Sequence, residues 1–507
     1  MTPSPDLLNN CEDDSSDLAT FGYKQELDRT LGSFSSFAAG FSYISIMTGL
    51  FQMFYLGFAA GGPSFIWSWP LVFFGQLLVA LGFAELSAHY PLSGGVYQWS
   101  KGIGSPLLGW FVGWTYTACL IVSLAAVVLA LQNSLPQISP HFQLIGDASN
   151  AHDSAMNAVI FGCGLVIFST VINSIGVGIL AKLNNIGVMS ELLGIAILII
   201  CLACKAERGV SAVLFSAPRQ EGDGFLGPLI ASAALTASYV LYGFDTAGSL
   251  AEETSDPRRR APWAILQALV AAATAGLFVL LFALMATKNL SAPELGRLDG
   301  GLPWIVKSVL GDTVGTLFLC DVIFAIIVCA LAVHTGAVRL IFAMARDGFL
   351  PFSRALSQVS AKSKTPILPA ILVGVLALII LAANIHLPKI IELVTMVAVL
   401  WANLAYMMIT GALLLRRLRG WPGPDKTKNL FSLGRWGLPI NVLAFIWSIF
   451  MVVNVGWPRE SVYGPEWQHR FAPVVFTLIL FAIGLLVRKF GASPVAVPRQ
   501  SIQERNF

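Results

Sequence analysis

Glu191 stands in "AKLNNIGVMSELLG" (181–194) and Asp245 in "LYGFDTAGS" (241–249), each in a stretch that is otherwise almost free of charge. No Asp, Glu, Lys or Arg occurs in residues 224–244, immediately before Asp245. A carboxyl group in such a place can exchange a proton, bind a cation, or pair with the ammonium of a substrate. His334, the one histidine well inside an apolar run, and Thr335 beside it add an imidazole and a hydroxyl to the groups that can hold a proton or an ion. Enzyme signatures are missing: the chain has no HExxH, no Walker loop and no GxSxG. Cys201 and Cys204 spell CxxC inside an apolar run but lack the second pair that a zinc site needs. No enzyme, metal or cofactor is therefore expected, and transport is the better class.

The setting is a membrane. Of 507 residues 56% are apolar and only 12% charged, and the mean hydropathy is +0.73, values that mark a polytopic membrane protein. A hydrocarbon core about 30 Å thick takes roughly 20 apolar residues per helix. Residues 30–84 carry no charge and hold two such lengths, with Gly61, Gly62 and Pro63 as the turn between them. Further spans are expected near 105–131, 155–178, 183–204, 225–253, 261–287, 313–345, 367–386, 390–415, 436–457 and 471–488, giving twelve. The runs are continuously apolar and do not alternate, which disfavours a β-barrel. With the N-terminus inside, most of the 31 basic residues fall in cytoplasmic loops, including Arg258 to Arg260 and the cluster from Arg416 to Arg435. Both termini are thus expected to be cytoplasmic in the plasma membrane. The net charge of +3 reflects this asymmetry and not a nucleic-acid partner. Residues 1–30 read as a disordered tail, 31–416 as the core of the first ten spans, 417–490 as two appended spans, and 491–507 as a second tail. Segments between spans are too short for a soluble domain.

Irregular backbone at membrane depth is tolerated where it lines a cavity, and two interrupted spans at matching positions point to a transporter's site. The first span reads "FSYISIMTGLF" (41–51) and the sixth "LYGFDTAGS". Ser42, Ser45, Thr48 and Gly49 in one correspond in kind to Gly243, Asp245, Thr246 and Gly248 in the other, five helices later. A five-plus-five inverted repeat follows, the leucine transporter fold with broken helices 1 and 6, and Gly49 and Gly243 are expected in non-helical backbone near mid-membrane.

Three longer stretches carry a resemblance. "FAELSAHYPLSGGVYQWS" (83–100), with Glu85, Gly94, Gly95 and Tyr97, resembles the segment after helix 2 of the amino acid, polyamine and organocation superfamily. "YGFDTAGSLAEETSDPRRRAPWAI" (242–265) is similar to that superfamily's helix 6, and "RLIFAMARDGFLP" (339–351), containing Arg346, to its helix 8 exit. The first span resembles the amino acid and choline transporter branch, because "ISIMTGLF" keeps only Gly49 where α-amino acid permeases have a glycine-rich loop. The resemblance implies a carrier of amino acids, 4-aminobutyrate, polyamines or choline, with Glu85, Gly94, Gly95 and Arg346 in a gate or loop motif. It also implies that Glu191 stands where many relatives place a lysine.

At each break one half-helix presents free N–H groups and the other free carbonyls, so a zwitterion is the default ligand. Its carboxylate is expected near Ser45, Met47, Thr48 and Gly49, and its amine near Tyr242 and Gly243, with Phe244 on its stem. Asp245 reads as an N-cap of the inner half-helix, or as a counter-charge or proton site. Glu191, with His334 and Thr335, is the expected ion or proton coupling group, proton being favoured over sodium. Glu191 paired with Ser45 or His334 for structure alone is the alternative. Asp321 lies eighteen residues before Arg339, about 27 Å along a helix, and is expected near the outer surface. Glu85, Glu252 and Glu253 are expected to meet Arg258 to Arg260, Arg346 and Lys101. A nutrient sensor or an exchanger using the same pocket is the competing function.

Overall fold

The computed structural model describes residues 18–148, 150–215, 227, 229–230, 236–383, 385, 390–423, 430–463 and 465–491. Most of both expected tails, the start of the sixth span, and Lys426 and Lys428 lie outside the described residues. The described residues are helical throughout, apart from loops and one isolated bridge between Leu31 and Thr254.

The uncharged N-terminal run forms α1 (Ser33–Ile44) and α2 (Ile46–Gly61), then turns through a 3-10 segment, Gly62–Trp67, opened by Pro63, into α3 (Ser68–His89). Gly94, with φ 83°, starts α4 (Gly95–Ile103). Ser105 caps α5 (Pro106–Leu129), its Oγ accepting from the Leu108 N–H at 3.2 Å. Next come α6 (Leu131–Ile138), α7 (Ala151–Ile175) and α8 (Val177–Cys204). The described part of the sixth span is two short pieces, α9 (Ser238–Val240) and α10 (Thr246–Ser249). Then follow α11 (Pro257–Ala286), α12 (Gly301–Leu310), α13 (Asp312–Arg346), α14 (Ile367–Ala383), α15 (Ile390–Leu418), α16 (Gly437–Gly456) and α17 (Trp467–Gly491). Among the described residues nine helical stretches are long and apolar enough to cross a membrane, the first of them, Ser33–His89, running through α1 to α3.

Packing arranges these helices around the breaks. α11 lies against α1 and α3, while α13 lies against α5, α7, α8 and α14. α15 joins α5 to α16. The faces left over are apolar: Ile186, Met189, Leu193, Ile197 and Ile200 make an exposed stripe on α8 at helical spacing. The opposite stripe of the same helix, with Asn184, Val188, Glu191 and Ile195, is buried. A lipid-covered helix with one inward polar face meets the requirement that intramembrane charge point into the bundle.

Buried ion pairs gather where α13 and α15 end. Arg339 Nε donates to Glu253 Oε1 at 2.5 Å with both side chains essentially fully buried. Arg346 grips Glu252 through two hydrogen bonds, 2.7 and 2.9 Å. Asp347 accepts from Lys101 Nζ at 2.5 Å, from the Tyr23 hydroxyl at 2.7 Å and from the Tyr97 hydroxyl. Glu85 pairs with Arg417 and accepts from Ser432 and the Leu433 N–H. Of the expected contacts, Glu252 with Arg346 forms, whereas Glu85 and Glu253 reach Arg417 and Arg339 in place of Arg258 to Arg260. The physical reason is burial: the arginine triplet opens α11, where Arg258 caps the Ala88 carbonyl and Arg260 binds Ser255, while Arg339 and Arg417 face inward.

Truncating one partner of a buried pair leaves the other charge unpaired, at a cost of about 3–5 kcal/mol. Arg339→Met is therefore expected to lower the melting temperature in detergent sharply, and Arg339→Met combined with Glu253→Gln to recover much of the loss.

Candidate functional site

The first break falls at Ser45, between α1 and α2, where φ is 32° and ψ is 95°. A positive φ in a residue other than glycine costs about 1–3 kcal/mol and persists only where neighbours fix it. Here they do. The Ser45 N–H closes α1 on the Phe41 carbonyl at 2.8 Å, and its own carbonyl accepts from the Gly49 N–H at 2.9 Å, opening α2. Ser45 Oγ also accepts from the Thr48 N–H at 3.4 Å. Gly49, expected in non-helical backbone, lies inside α2. Its role is close approach, for a Cβ there would meet Val240 Cγ2 at 2.7 Å, so the two broken spans touch at this glycine.

The freed N–H pole of α2, the place expected to receive a ligand's carboxylate, is held by a carboxylate of the chain. Glu191 Oε1 accepts from the Met47 N–H at 2.9 Å and lies 3.0 Å from Ser45 Oγ, which is 2.7 Å from Thr48 Oγ1. Glu191 is 2% exposed and reaches across from α8. The contact with Ser45 considered as an alternative thus forms, and the one with His334 does not.

The second break centres on Gly243, whose φ of 87° only glycine adopts readily, and where a Cβ would collide with the Tyr43 ring. The Gly243 N–H donates to the Tyr406 hydroxyl at 3.0 Å. Tyr406 donates in turn to Asp245 Oδ1 at 2.5 Å, and Tyr116 donates to the same oxygen at 2.6 Å. Asp245 is not the side-chain N-cap expected of it: its backbone is helical, with φ −66° and ψ −16°, and its side chain makes no cap hydrogen bond. With Asp245 already helical, its carboxylate points outward to α5 and α15, where two phenols bind it. Phe244 packs on Phe83 and Tyr406, at centroid distances of 6.0 and 5.4 Å.

Between the breaks lies a cavity of about 10 Å³, room for roughly one water. Thr48, Gly49 and Tyr242 line it, joined by Tyr43, Tyr239 and Cys329. Ser45 and Met47 sit behind that wall with Glu191. The Tyr242 hydroxyl is 2.7 Å from Ser123 Oγ, and the Tyr239 hydroxyl donates to Gln52 at 2.9 Å.

His334 and Thr335 do not join Glu191. His334 Nε2 faces the Ala370 carbonyl at 3.0 Å and so carries the ring proton, while Nδ1 lies 3.0 Å from Ser169 Oγ. Thr335 binds Asn173 Oδ1 at 2.8 Å and the Leu331 carbonyl at 2.7 Å. Asp321, expected near the outer surface, is half-buried against the middle of α8, accepting from Ser190 Oγ at 2.6 Å beside Glu191. The loop-motif glycines are packing positions: a Cβ on Gly94 would meet Ala343 at 2.6 Å, and one on Gly95 would meet Ser249 Oγ at 2.7 Å. Sequence reading passed over Tyr43, Tyr116, Tyr239 and Tyr406. Their only signal is a hydroxyl inside an apolar run.

The family described as amino acid permease matches residues 31–486. "Amino-acid permease BAT1" of Arabidopsis thaliana is 26% identical over 465 residues, covering 87% of this chain and 88% of its own length. "Branched-chain amino acid permease BcaP" of Bacillus subtilis is 25% identical over 445 residues, 87% and 90% of the two chains. "Low-affinity putrescine importer PlaP" of Escherichia coli is 26% identical over 469 residues, 88% and 96%. The chain belongs to the amino acid permease family of the amino acid, polyamine and organocation superfamily, a family of transporters and not of enzymes.

Tyr406→Phe would strand the Gly243 N–H and take a donor from Asp245, a change worth about 1–3 kcal/mol. We expect a clear drop in thermal stability for Tyr406→Phe and a smaller one for Tyr116→Phe, which leaves Tyr406 in place, as read by unfolding in detergent.

Proposed function

We propose that this chain is a secondary active transporter. It carries an amino acid or related amine, from the group of amino acids, 4-aminobutyrate, polyamines and choline, across the plasma membrane by alternating access. The observation that carries this reading is the meeting of two interrupted spans, in contact through Gly49 and Val240, around a small polar cavity. Broken spans that meet at a cavity are the arrangement by which transporters hold substrate at mid-membrane. In this reading the fold is a five-plus-five inverted repeat in residues 31–416, with α16 and α17 appended and twelve spans in all. The end carrying Arg346, Arg416 and Arg417 faces the cytoplasm, as do both termini.

A proton is the coupling ion in this account. Glu191 is buried, and its hydrogen-bond partners belong to the first span and not to its own helix. A carboxyl group whose partners move changes its proton affinity with the movement, so uptake and release of a proton follow the transport cycle. Sodium is the weaker candidate because the Thr335 hydroxyl is committed to Asn173 and Leu331 and its neighbour is His334.

In reconstituted vesicles, an inward proton gradient should drive concentrative uptake without sodium. Glu191→Gln keeps an acceptor for the Met47 N–H but cannot exchange a proton, so it should retain substrate counterflow and lose gradient-driven accumulation. Accumulation in Glu191→Gln with unchanged pH dependence would remove Glu191 from the coupling mechanism.

A further inference from the structure

We propose that the ligand of this site is an organic cation without a carboxylate, a primary amine or quaternary ammonium, and that Glu191 stands where a ligand's carboxylate would otherwise bind. The proposal rests on the reading of the cavity between the breaks as the substrate site and narrows it to one substrate class.

A half-helix that begins at mid-membrane presents unpaired N–H groups and the positive end of its dipole, and an anion is the natural partner of that pole. In this chain the pole is already neutralised. The Met47 N–H lies 2.9 Å from Glu191 Oε1, and the Ser45 hydroxyl lies 3.0 Å from the same oxygen. The Thr48 N–H is taken by Ser45 Oγ at 3.4 Å, and the Gly49 N–H by the Ser45 carbonyl at 2.9 Å. A carboxylate brought by a ligand would find these donors engaged and would face Glu191 across a medium that screens poorly, which is how a site rejects a charge. Asp321, bound to Ser190 on the next residue of α8, adds a second acid to the same neighbourhood.

The rest of the cavity favours the opposite charge. Tyr43, Tyr239 and Tyr242 line it, with Tyr43 edge-on to Tyr242 at 5.6 Å and Tyr239 tilted to Tyr242 at 6.1 Å. Ring faces grouped in this way attract ammonium groups. The Tyr43 hydroxyl is buried close to those of Ser123 and Tyr242, with no described atom at ordinary hydrogen-bond distance, which leaves it an acceptor for an N–H donor. α1 ends at Ile44 on the cavity wall, which turns the negative end of that helix toward the same space. No Lys or Arg lines the cavity among the described residues.

The test is thermal unfolding of the full-length protein in detergent, titrated with matched pairs that differ at the carboxylate: putrescine and ornithine, cadaverine and lysine, agmatine and arginine, choline and betaine. The amine or ammonium is expected to bind at least about tenfold more tightly than its carboxylate partner in the pairs that bind. Glu191→Ala, which vacates the pole, should narrow or reverse that ratio. If the variant does not fold, the wild-type ratio alone decides. Equal or tighter binding of the carboxylate partner, an unchanged ratio in folded Glu191→Ala, or stabilisation by none of these amines would overturn the proposal. Amine binding without concentrative uptake would sink the transport reading alone, and proton-driven uptake of the amino acid partners would sink this proposal alone.

Discussion

A span that breaks in lipid must have its freed backbone groups satisfied from elsewhere in the protein, because nothing in the hydrocarbon can do it. This chain breaks two spans, and the placing of their neighbours follows from how each break is closed. Glu191 crosses from α8 to the N–H end of α2, and Tyr406 crosses from α15 to the Gly243 N–H while handing its own proton to Asp245. Both closures use a carboxyl group. Each also ties a broken span to a continuous one, so that the two breaks are held by α8 on one side and by α5 and α15 on the other.

The two closures differ in what they hold. Asp245 takes both of its hydrogen bonds from phenols on surrounding helices and does not line the cavity. Glu191 bonds only to the segment that wraps the cavity, through Ser45 and Met47. Those two contacts are what tie α8 to the start of α2. At the far ends of the helices, pairs such as Arg339 with Glu253 and Arg346 with Glu252 lock the segment after the second break to α13.

Much of this was legible in the sequence. The spans were readable because uncharged runs of the right length have no other stable use, and the ends of α5, α8, α11 and α13 fall within a few residues of those runs. The breaks were readable from clustered small and polar residues, and Gly243 is non-helical as expected. Glycine is the usual sign of irregular backbone and points to Gly49, whereas Ser45, four residues earlier, takes the unusual angles and Gly49 provides close approach. Asp245 looked like a cap because sequence shows which residue precedes a helix but not which phenols surround it. Tyr116 and Tyr406 lie 129 and 161 residues from Asp245. Glu191 stood out at once as a charge in an apolar run, but its contact with the first break spans 144 residues and belongs to the fold alone.

A carboxylate held at the N–H end of α2 keeps the first break closed. Chemical rescue measures this directly: Glu191→Ala in detergent, its melting temperature followed at constant ionic strength as formate or acetate replaces chloride. A saturable rise in melting temperature with the small carboxylate, absent in the wild type, is the result this account predicts. The same melting temperature in carboxylate and in chloride would contradict it.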